Sequence, residues 1–354
     1  MIAWFEQAAL FGFPIWAEIL FALLLEILIG KPRFLPHLRD GMGALSRFFG
    51  KQLQKREQAR QTGMLYSILL GVLCAFGAWS IPMLLNHWSL LAASILRIAL
   101  IYSLLNLRTP ITTALAVRKS LAASDKEGAR ARIAQMTRRD TESLSESGLC
   151  RVASEELALA LCYGFALPLF YLGLGSLVSM PGYGTLGIPL AFGAVALVEC
   201  GRHITPDGAS IDPVGELPRR IASYALFLPG RAVSALALLS GWILRLNWRG
   251  GATVLLLQNP LSRTNPASWT QACFSGLLGI RLGGGAYYGG LWRPSPSIGL
   301  DYATPGQRTA QLALRITLLT APIAAALFLL SPLTSCILGL LIGFTGRAAG
   351  RQPL

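Results

Sequence analysis

A short polar segment, Arg138-Arg139-Asp140-Thr141, places two cations, a carboxylate and a hydroxyl at the expected entrance of a helix. Free N–H groups at a helix N-terminus attract anions, and guanidinium groups add positive charge to such a site. The segment therefore fits an anion site with Arg139, Asp140 and Thr141 as its candidates. A helix cap with a surface ion pair explains the same residues, and both interpretations stay open.

A glycine-rich run from Arg281 to Gly290 is the second candidate site. The backbone N–H groups of such a run can surround a phosphate, and Arg281 would add a positive charge. Gly283 and Gly284 are the first glycines of the run. Because it lacks the Gly-Lys-Ser/Thr ending, the run is not a P-loop. A tight or flexible connector remains the alternative interpretation.

Carboxylates near apolar stretches form a third group of candidates. Such charges are costly at membrane depth unless they are paired or solvated, so each is a site candidate by default. They are Glu18, Glu26, Glu155, Glu156 and Glu199. His37 follows a segment that contains Gly30, Pro32 and Pro36, which is typical of a turn after a helix. A single histidine without a partner is a weak ligand signal.

The composition of the chain determines what must position these residues. Of 354 residues, 53% are hydrophobic and 14% charged, whereas a soluble domain has about 25% charged residues. The mean hydropathy is +0.53. Apolar runs are long enough to cross hydrocarbon, which takes about 20 residues per helix. Composition therefore excludes a soluble enzyme, a disordered protein and a disulfide-stapled secreted domain.

The apolar runs predict an all-α fold, a polytopic helical membrane protein with about seven membrane-spanning helices in a single domain, residues 1–354. A hairpin is expected at Asn86-His87, and another at Ser331-Pro332. Ala222–Leu246 contains Pro229 and Arg231, so a re-entrant or interfacial segment is expected there. The seven expected spans are Phe13–Ile29, Met64–Leu85, Trp88–Leu107, Leu157–Met180, Leu186–Val198, Leu312–Leu330 and Leu333–Phe344.

Three polar segments, about residues 31–60, 108–156 and 247–311, are expected to be cytoplasmic. The first two are rich in Lys and Arg, and such loops stay inside, which predicts an outer N-terminus and a cytoplasmic C-terminus. We interpret the net charge of +14 in the same way. Nucleic-acid binding is not expected, because no stretch interleaves basic residues with stacking aromatics.

Within the second polar segment, Thr113–Thr137 is predicted to form one amphipathic helix. Ser143-Leu144-Ser145-Glu146 is a capping-box pattern, and it predicts the start of the next helix. The six cysteines include no CxxC pair, and the chain has only three histidines. A structural zinc site is therefore not expected.

These segments, taken in order, resemble the CbiB/CobD family of cobalamin-biosynthesis membrane proteins, the adenosylcobinamide-phosphate synthases. The resemblance spans about residues 24–330, and the run that ends in Arg281-Leu282-Gly283-Gly284 is its most specific part. The elements that carry it are Gly30-Lys31-Pro32, Pro36-His37-Leu38, Gly43, Arg139-Asp140-Thr141, Arg151, Ala153, Glu155, Gly164, Pro168-Leu169-Phe170, Pro218-Arg219-Arg220, Trp269 and Ser275–Gly284.

The sequence departs from the family pattern at several polar positions. Lys31 stands where the family has the aspartate of its proline turn. Leu159 and Ala160 replace a glutamate-asparagine pair, and Tyr163 replaces an aspartate. A family element of asparagine, threonine, leucine, aspartate, serine and methionine is missing or reduced to Ala196–Cys200. These departures remove carboxylates and amides that could bind a metal or activate an amine.

The resemblance implies an enzyme of the bacterial cytoplasmic (inner) membrane that joins adenosylcobyric acid to an aminoalcohol phosphate, with ATP and magnesium. It implies catalytic roles for Asp140 and Glu155, and magnesium ligation by Asp140, Glu155 and Glu199. The implied partners are the corrinoid, the aminoalcohol phosphate and the lipid bilayer, with a homo-oligomer or other corrinoid-pathway proteins as further options. The implied substrate- and phosphate-binding residues are His37, Arg139, Thr141, Arg220, Arg281, Gly283 and Gly284.

Two other functions stay open. The β-lactamase-regulation membrane protein AmpE looks like a distant cousin of this family, which suggests a non-catalytic sensor or scaffold. The missing carboxylates favour this function. A transporter is the weaker alternative, because the sequence shows no inverted repeat with paired broken helices.

Overall fold

The computed structural model describes residues 15–31, 37–55, 58–177, 179–180, 184–205, 213–257, 268–299 and 303–349. Helices account for most of these residues, and the short strands form only two-stranded hairpins or pairs. This architecture confirms the predicted all-α membrane class. A helix satisfies its own backbone hydrogen bonds, which an apolar solvent requires.

The helices follow one another with short connections. Ala160–Ala166 forms a π-helical segment that joins α7 and α8 into one continuous rod. The helices are α1 Ile15–Leu28, α2 Leu38–Leu53, α3 Ala59–Asn86, α4 Leu90–Leu104, α5 Arg108–Ala122, α6 Lys126–Ile133, α7 Glu146–Leu159, α8 Leu167–Ser176, α9 Gly187–His203, α10 Pro213–Ala225, α11 Phe227–Ile243, α12 Trp248–Leu257, α13 Ser268–Leu278 and α14 Gln307–Ala349.

Fewer helices than predicted have the length and composition of membrane spans. In the described part of the chain three qualify, Ala59–Asn86, Glu146–Ser176 and Gln307–Leu330, and five if each of two bent helix pairs is one span. The prediction was about seven. One reason is that α9 has 17 residues and is too short to qualify.

The predicted hairpin at Ser331-Pro332 is wrong, because α14 continues from Gln307 to Ala349. A proline inside a helix removes one hydrogen bond and bends the axis. In lipid, the exposed backbone of a loop would leave several hydrogen bonds unmade, which costs more free energy than the single bond lost at a proline. One helix therefore replaces the two spans predicted there.

The amphipathic helix predicted over Thr113–Thr137 is two helices, α5 and α6. Ser124 takes a positive φ of 58°, and the Asp125 carboxylate accepts a hydrogen bond of 2.8 Å from Gly128 N. This N-cap starts a new helix, as aspartate commonly does. The capping-box prediction is close, since α7 begins at Glu146 with Ser145 as its N-cap.

The predicted junction at Asn86-His87 is confirmed, because α3 ends at Asn86 and Ser89 caps α4. The segment Ala222–Leu246 contains a break at Leu226, between α10 and α11, which bend by 54°. Its re-entrant or interfacial position stays a prediction. Pro229 lies in the first turn of α11, where its missing N–H is harmless.

The two carboxylates of α1 have structural partners. Arg97 forms an ion pair of 2.7 Å with Glu18. The Glu26 carboxylate accepts hydrogen bonds from Leu107 N at 2.8 Å and Arg108 N at 3.0 Å, so it caps α5. These contacts join α1 to α4 and α5, and they give each of the two buried carboxylates a partner within the fold.

The glycine-rich run folds into short antiparallel strands beside α13, which is buried along nearly its whole length. Gly289 and Gly290 form the turn between two of the strands, and both have a positive φ. That conformation fits a type I′ turn, which favours glycine at both positions. The strands are β1 Ser179–Met180, β2 Gly184–Thr185, β3 Leu282–Gly283, β4 Ala286–Tyr288, β5 Leu291–Arg293 and β6 Ser297–Ile298, paired β1–β2, β3–β6 and β4–β5.

The sides of the membrane stay a prediction that reporter fusions can test. Fusions at Gln54 and Ser124 should report the cytoplasm, and a fusion at Asn86 the opposite side, because Lys- and Arg-rich loops resist translocation. An alkaline phosphatase and a fluorescent reporter at each position would measure this. Gln54 and Ser124 on opposite sides would contradict the predicted topology.

Candidate functional site: a basic cavity between remote helices

A cavity of about 340 Å³ lies where α2, the junction of α4 and α5, the π-helical segment and the end of α9 meet. Five basic side chains and three carboxylates face it, so its lining is polar and carries excess positive charge. The charged and histidine residues of the lining are Lys31, Arg39, Asp40, Arg47, Arg138, Glu156, Glu199, Arg202 and His203.

Glu199 is the centre of a buried charge network in this cavity. One of its carboxylate oxygens, Oε1, lies 2.6 Å from Nη2 and 2.7 Å from Nε of the Arg39 guanidinium. The other lies 2.9 Å from His203 Nε2, one helical turn further along α9. Arg202 lies 3.5 Å from the same carboxylate. Arg39 also donates to the Tyr163 carbonyl at 2.9 Å, so the network joins α2 to the π-helical segment.

The protonation states of this network follow from its contacts. Burial raises the pKa of Glu199, but the charges of Arg39 and Arg202 and the His203 hydrogen bond hold it well below its usual range. Burial lowers the pKa of His203 below 6.5. A neutral His203 can donate from Nε2 to Glu199 and accept from Arg138 at Nδ1, which matches the contacts observed.

The π-helical segment brings one wall of the cavity very close to Asn106. Asn106 N donates to the Gly164 carbonyl at 2.9 Å. A Cβ at position 164 would lie 2.3 Å from the Asn106 carbonyl oxygen, so only glycine fits there. Gly43 has a similar role, because its Cβ would lie 2.9 Å from the His203 ring. Both glycines belong to the family-like elements of the sequence.

Four positions at which the resemblance predicts departures from the family pattern lie in this cavity. Lys31, Leu159, Ala160 and Tyr163 all belong to its lining. Lys31 forms an ion pair with Asp40, and the Arg202 guanidinium stacks on the Tyr163 ring at 4.2 Å. The four positions that the family resemblance predicts to be departures therefore lie in one site.

Arg139 and Glu155 form a second cluster, which binds the glycine-rich run. Arg139 pairs with Glu155 at 2.8 Å, and the other Glu155 oxygen accepts from Gly283 N at 2.7 Å. Glu155 is only 1% exposed. The structure thus brings three of the predicted site residues together, as a link between the entrance of α7 and strand β3.

Asp140 holds the tip of the β4–β5 hairpin. Its carboxylate accepts from Gly289 N at 3.0 Å and Gly290 N at 2.7 Å, and its own N–H donates to the Tyr287 carbonyl at 2.9 Å. The carboxylate therefore has structural donors, and the glycine turn has a partner that the sequence did not indicate.

Replacing Asp140 with alanine should loosen this hairpin, because a carboxylate that accepts two backbone hydrogen bonds contributes about 1.5–3 kcal/mol per bond. Hydrogen exchange of the Gly289 and Gly290 amides, followed by mass spectrometry, should then be faster. Asp125→Ala is the matched control, because it removes a cap on α6. Unchanged protection in Asp140→Ala would contradict the contact.

The other predicted site residues have different surroundings. Arg220 is exposed and pairs with Glu216 at 2.9 Å along α10. His37 is 2% exposed and packs against the Tyr102 ring, with centroids 5.5 Å apart. Arg281 is exposed at the start of the glycine run. In that run, Gly284 N donates to the Pro296 carbonyl. Thr141 is buried. None of these four side chains lines the cavity within the described residues.

The predicted magnesium ligands do not fit a shared metal site. Asp140 is bound by backbone N–H groups, Glu155 by a guanidinium and an N–H, and Glu199 by Arg39 and His203. Among the residues that the structure describes, no three His, Cys, Asp or Glu side chains are grouped to hold a metal. Hard cations need several free oxygen ligands, so we assign no step to these residues as metal ligands.

Sequence reasoning missed Arg39, Arg47, Arg202 and His203. A partial signal was present, since Glu199, Arg202 and His203 are spaced as neighbours on one helix face. No sequence signal joined Arg39 to Glu199, which is 160 residues away.

The chain matches the model of the CobD/Cbib protein family over residues 19–317. It is 29% identical over 297 residues to the cobalamin biosynthesis protein CobD of Synechocystis, covering 81% of this chain and 83% of that protein. It is 25% identical over 324 residues to CbiB of Salmonella typhi, covering 87% and 94%. No solved structure matches the chain. Since the family match covers most of its length, this chain belongs to the CobD/CbiB family.

Proposed function

We propose that this protein acts in cobalamin biosynthesis as a membrane enzyme that joins adenosylcobyric acid to an aminoalcohol phosphate at the expense of ATP. Family membership supports the pathway, since relatives are named cobalamin biosynthesis proteins CobD and CbiB. The observation that carries the site is the basic cavity, in which family-like elements from remote parts of the chain meet.

The reaction requires a site that gathers anions. A carboxylate must be activated, for example as an acyl phosphate, and an amine must then attack it in neutral form. Arginines can hold phosphates through charge-assisted, bidentate hydrogen bonds, and they stabilise charge that develops in a site sheltered from water. Arg39 is fixed by Glu199, whereas Arg47 and Arg202 lie on the more open part of the lining. ATP and magnesium remain part of the proposal through family resemblance, and the bacterial inner membrane is the proposed location.

Complementation tests the proposal. A bacterial strain that lacks its adenosylcobinamide-phosphate synthase should regain cobamide-dependent growth when it expresses this chain. An empty vector and an Arg47→Ala variant are the controls, and the variant should complement poorly. Normal abundance of the wild-type protein in the membrane without any growth would contradict the proposed reaction.

A non-catalytic sensor or scaffold is the second candidate. Two observations favour it: Asp140, Glu155 and Glu199 are all engaged by cations or N–H groups, and four departures from the family pattern line one cavity. If this candidate is right, the protein still binds its anion but does not complement.

A further inference from the structure

One face of the α7–π rod lines the cavity, and a single carboxylate remains on it. Glu156, Leu159, Ala160 and Tyr163 all belong to the lining. Their spacing of three, four and seven residues places them on one side of a helix. Because Leu159 and Tyr163 are not acidic, Glu156 is the acidic group that this face offers to a ligand.

The other two carboxylates of the cavity are engaged. Asp40 pairs with Lys31, and Glu199 is held by Arg39 and His203. In the part of the chain that the structure describes, Glu156 forms no ion pair within 4.0 Å, and it lies near the Thr137 hydroxyl and the charges of Arg202 and Arg139. Glu156 is thus the cavity carboxylate with capacity for a further cation.

Positive charge lines the same cavity as Glu156. Arg47 comes from α2, is exposed, and has no ion-pair partner among the described residues. Arg202 comes from α9, and its side chain is 34% exposed while it stacks on Tyr163. Two guanidinium groups that line one cavity suit a phosphate.

Of the corrinoid and the aminoalcohol phosphate, the size of the cavity favours the aminoalcohol phosphate. About 340 Å³ is near the lower end of small-molecule sites, which hold compact ligands in about 300–1,000 Å³. A corrin macrocycle with its side chains is too large to be enclosed there. A small molecule with one anionic and one cationic group fits both the volume and the charges.

We propose that this cavity binds the aminoalcohol phosphate in one orientation, with its phosphate on Arg47 and Arg202 and its ammonium on Glu156. This inference rests on the proposed function and assigns to that site a residue, Glu156, that selects for an amine. Glu156 positions the ligand through its carboxylate, so its loss should affect ligands with an amine and spare ligands without one.

Titration calorimetry with the full-length protein in detergent micelles tests the assignment, with O-phosphoethanolamine and ethyl phosphate as probes of similar size. The wild type should bind O-phosphoethanolamine at least about tenfold more tightly than ethyl phosphate, because one charge-assisted contact changes an affinity by about this factor. Glu156→Gln should remove this preference and keep the affinity for ethyl phosphate. Arg47→Ala should lower the affinity for both probes by a similar factor.

Matched controls separate the site from general effects of lost charge. Glu127→Gln removes an exposed carboxylate, and Arg132→Ala removes an exposed guanidinium on α6. Both variants should bind like the wild type. Retained binding of ethyl phosphate shows that Glu156→Gln is folded, so the amine preference is the decisive readout.

Each result distinguishes the inference from the function on which it rests. An amine preference that persists in Glu156→Gln, or unchanged affinities in Arg47→Ala, overturns the assignment even if the wild type complements a synthase-deficient strain. An amine preference that depends on Glu156, together with failed complementation, supports the binding site and contradicts the proposed reaction. Binding of neither probe to the wild type overturns the assignment.

Discussion

Glu199→Ala is expected to lower the free energy of unfolding by about 3–5 kcal/mol, because it leaves a buried guanidinium without its counter-charge. Arg39 and Glu199 are 7% and 3% exposed. The carboxylate also accepts from His203, so its removal leaves two donors of the network unsatisfied. Unfolding of the detergent-solubilised protein in SDS, followed by circular dichroism, measures the loss.

Two comparisons make this expectation specific. Glu216→Ala removes an exposed carboxylate that pairs with Arg60 and Arg220, and it should cost less than about 1 kcal/mol. The double variant Arg39→Met/Glu199→Leu should recover part of the loss, because it removes the buried guanidinium together with its counter-charge and leaves only His203 and Arg202 without this acceptor. Equal losses in Glu199→Ala and Glu216→Ala would show that the network contributes little to stability.

Gly164→Ala should also be strongly destabilising, because its Cβ would lie 2.3 Å from the Asn106 carbonyl oxygen. Both groups belong to the backbone, so neither can move aside by changing a rotamer. Overpacking of this kind costs about 1–3 kcal/mol or more. It would also separate Asn106 N from the Gly164 carbonyl, which are 2.9 Å apart. The unfolding midpoint and the phosphate affinity should both decrease.

Gly77→Ala is the matched control for this substitution. Gly77 lies in the interior of α3, and a Cβ there has no atom within 4 Å. Alanine is the better helix former by up to about 1 kcal/mol. The two substitutions should therefore change stability in opposite directions, and equal effects would contradict the close approach at Gly164.

Much of the local structure could be predicted from the sequence, because its causes are local. The apolar runs and the Asn86-His87 junction correctly indicated α3 and α4. Ser145 caps α7 close to where a capping box was expected. Composition alone excluded a soluble fold, and family-like elements named Arg139, Glu155 and Gly283, which the structure brings into contact.

Local patterns failed where two tendencies competed. Apolar periodicity over Thr113–Thr137 predicted one helix, but the Asp125 cap divides it after Ser124. Ser331-Pro332 suggested a turn, but the helix continues, because a proline removes only one hydrogen bond of a helix. The catalytic role of Asp140 stays a prediction, and the structure adds a contact with the turn of a hairpin that no local pattern indicated.

The sequence by itself determined the class of this protein, an all-helical membrane chain, because helices form from contacts within a few residues and because the length of an apolar run decides whether it can cross a membrane. The resemblance to the CobD/CbiB family rests on its motifs and not on these local patterns. Only the tertiary structure decided which charges meet. Arg39 reaches Glu199 across 160 residues, and Glu156 and Arg202, from two different helices, line one cavity. Such pairs depend on how distant helices pack, and no pattern within one helix records the position of another.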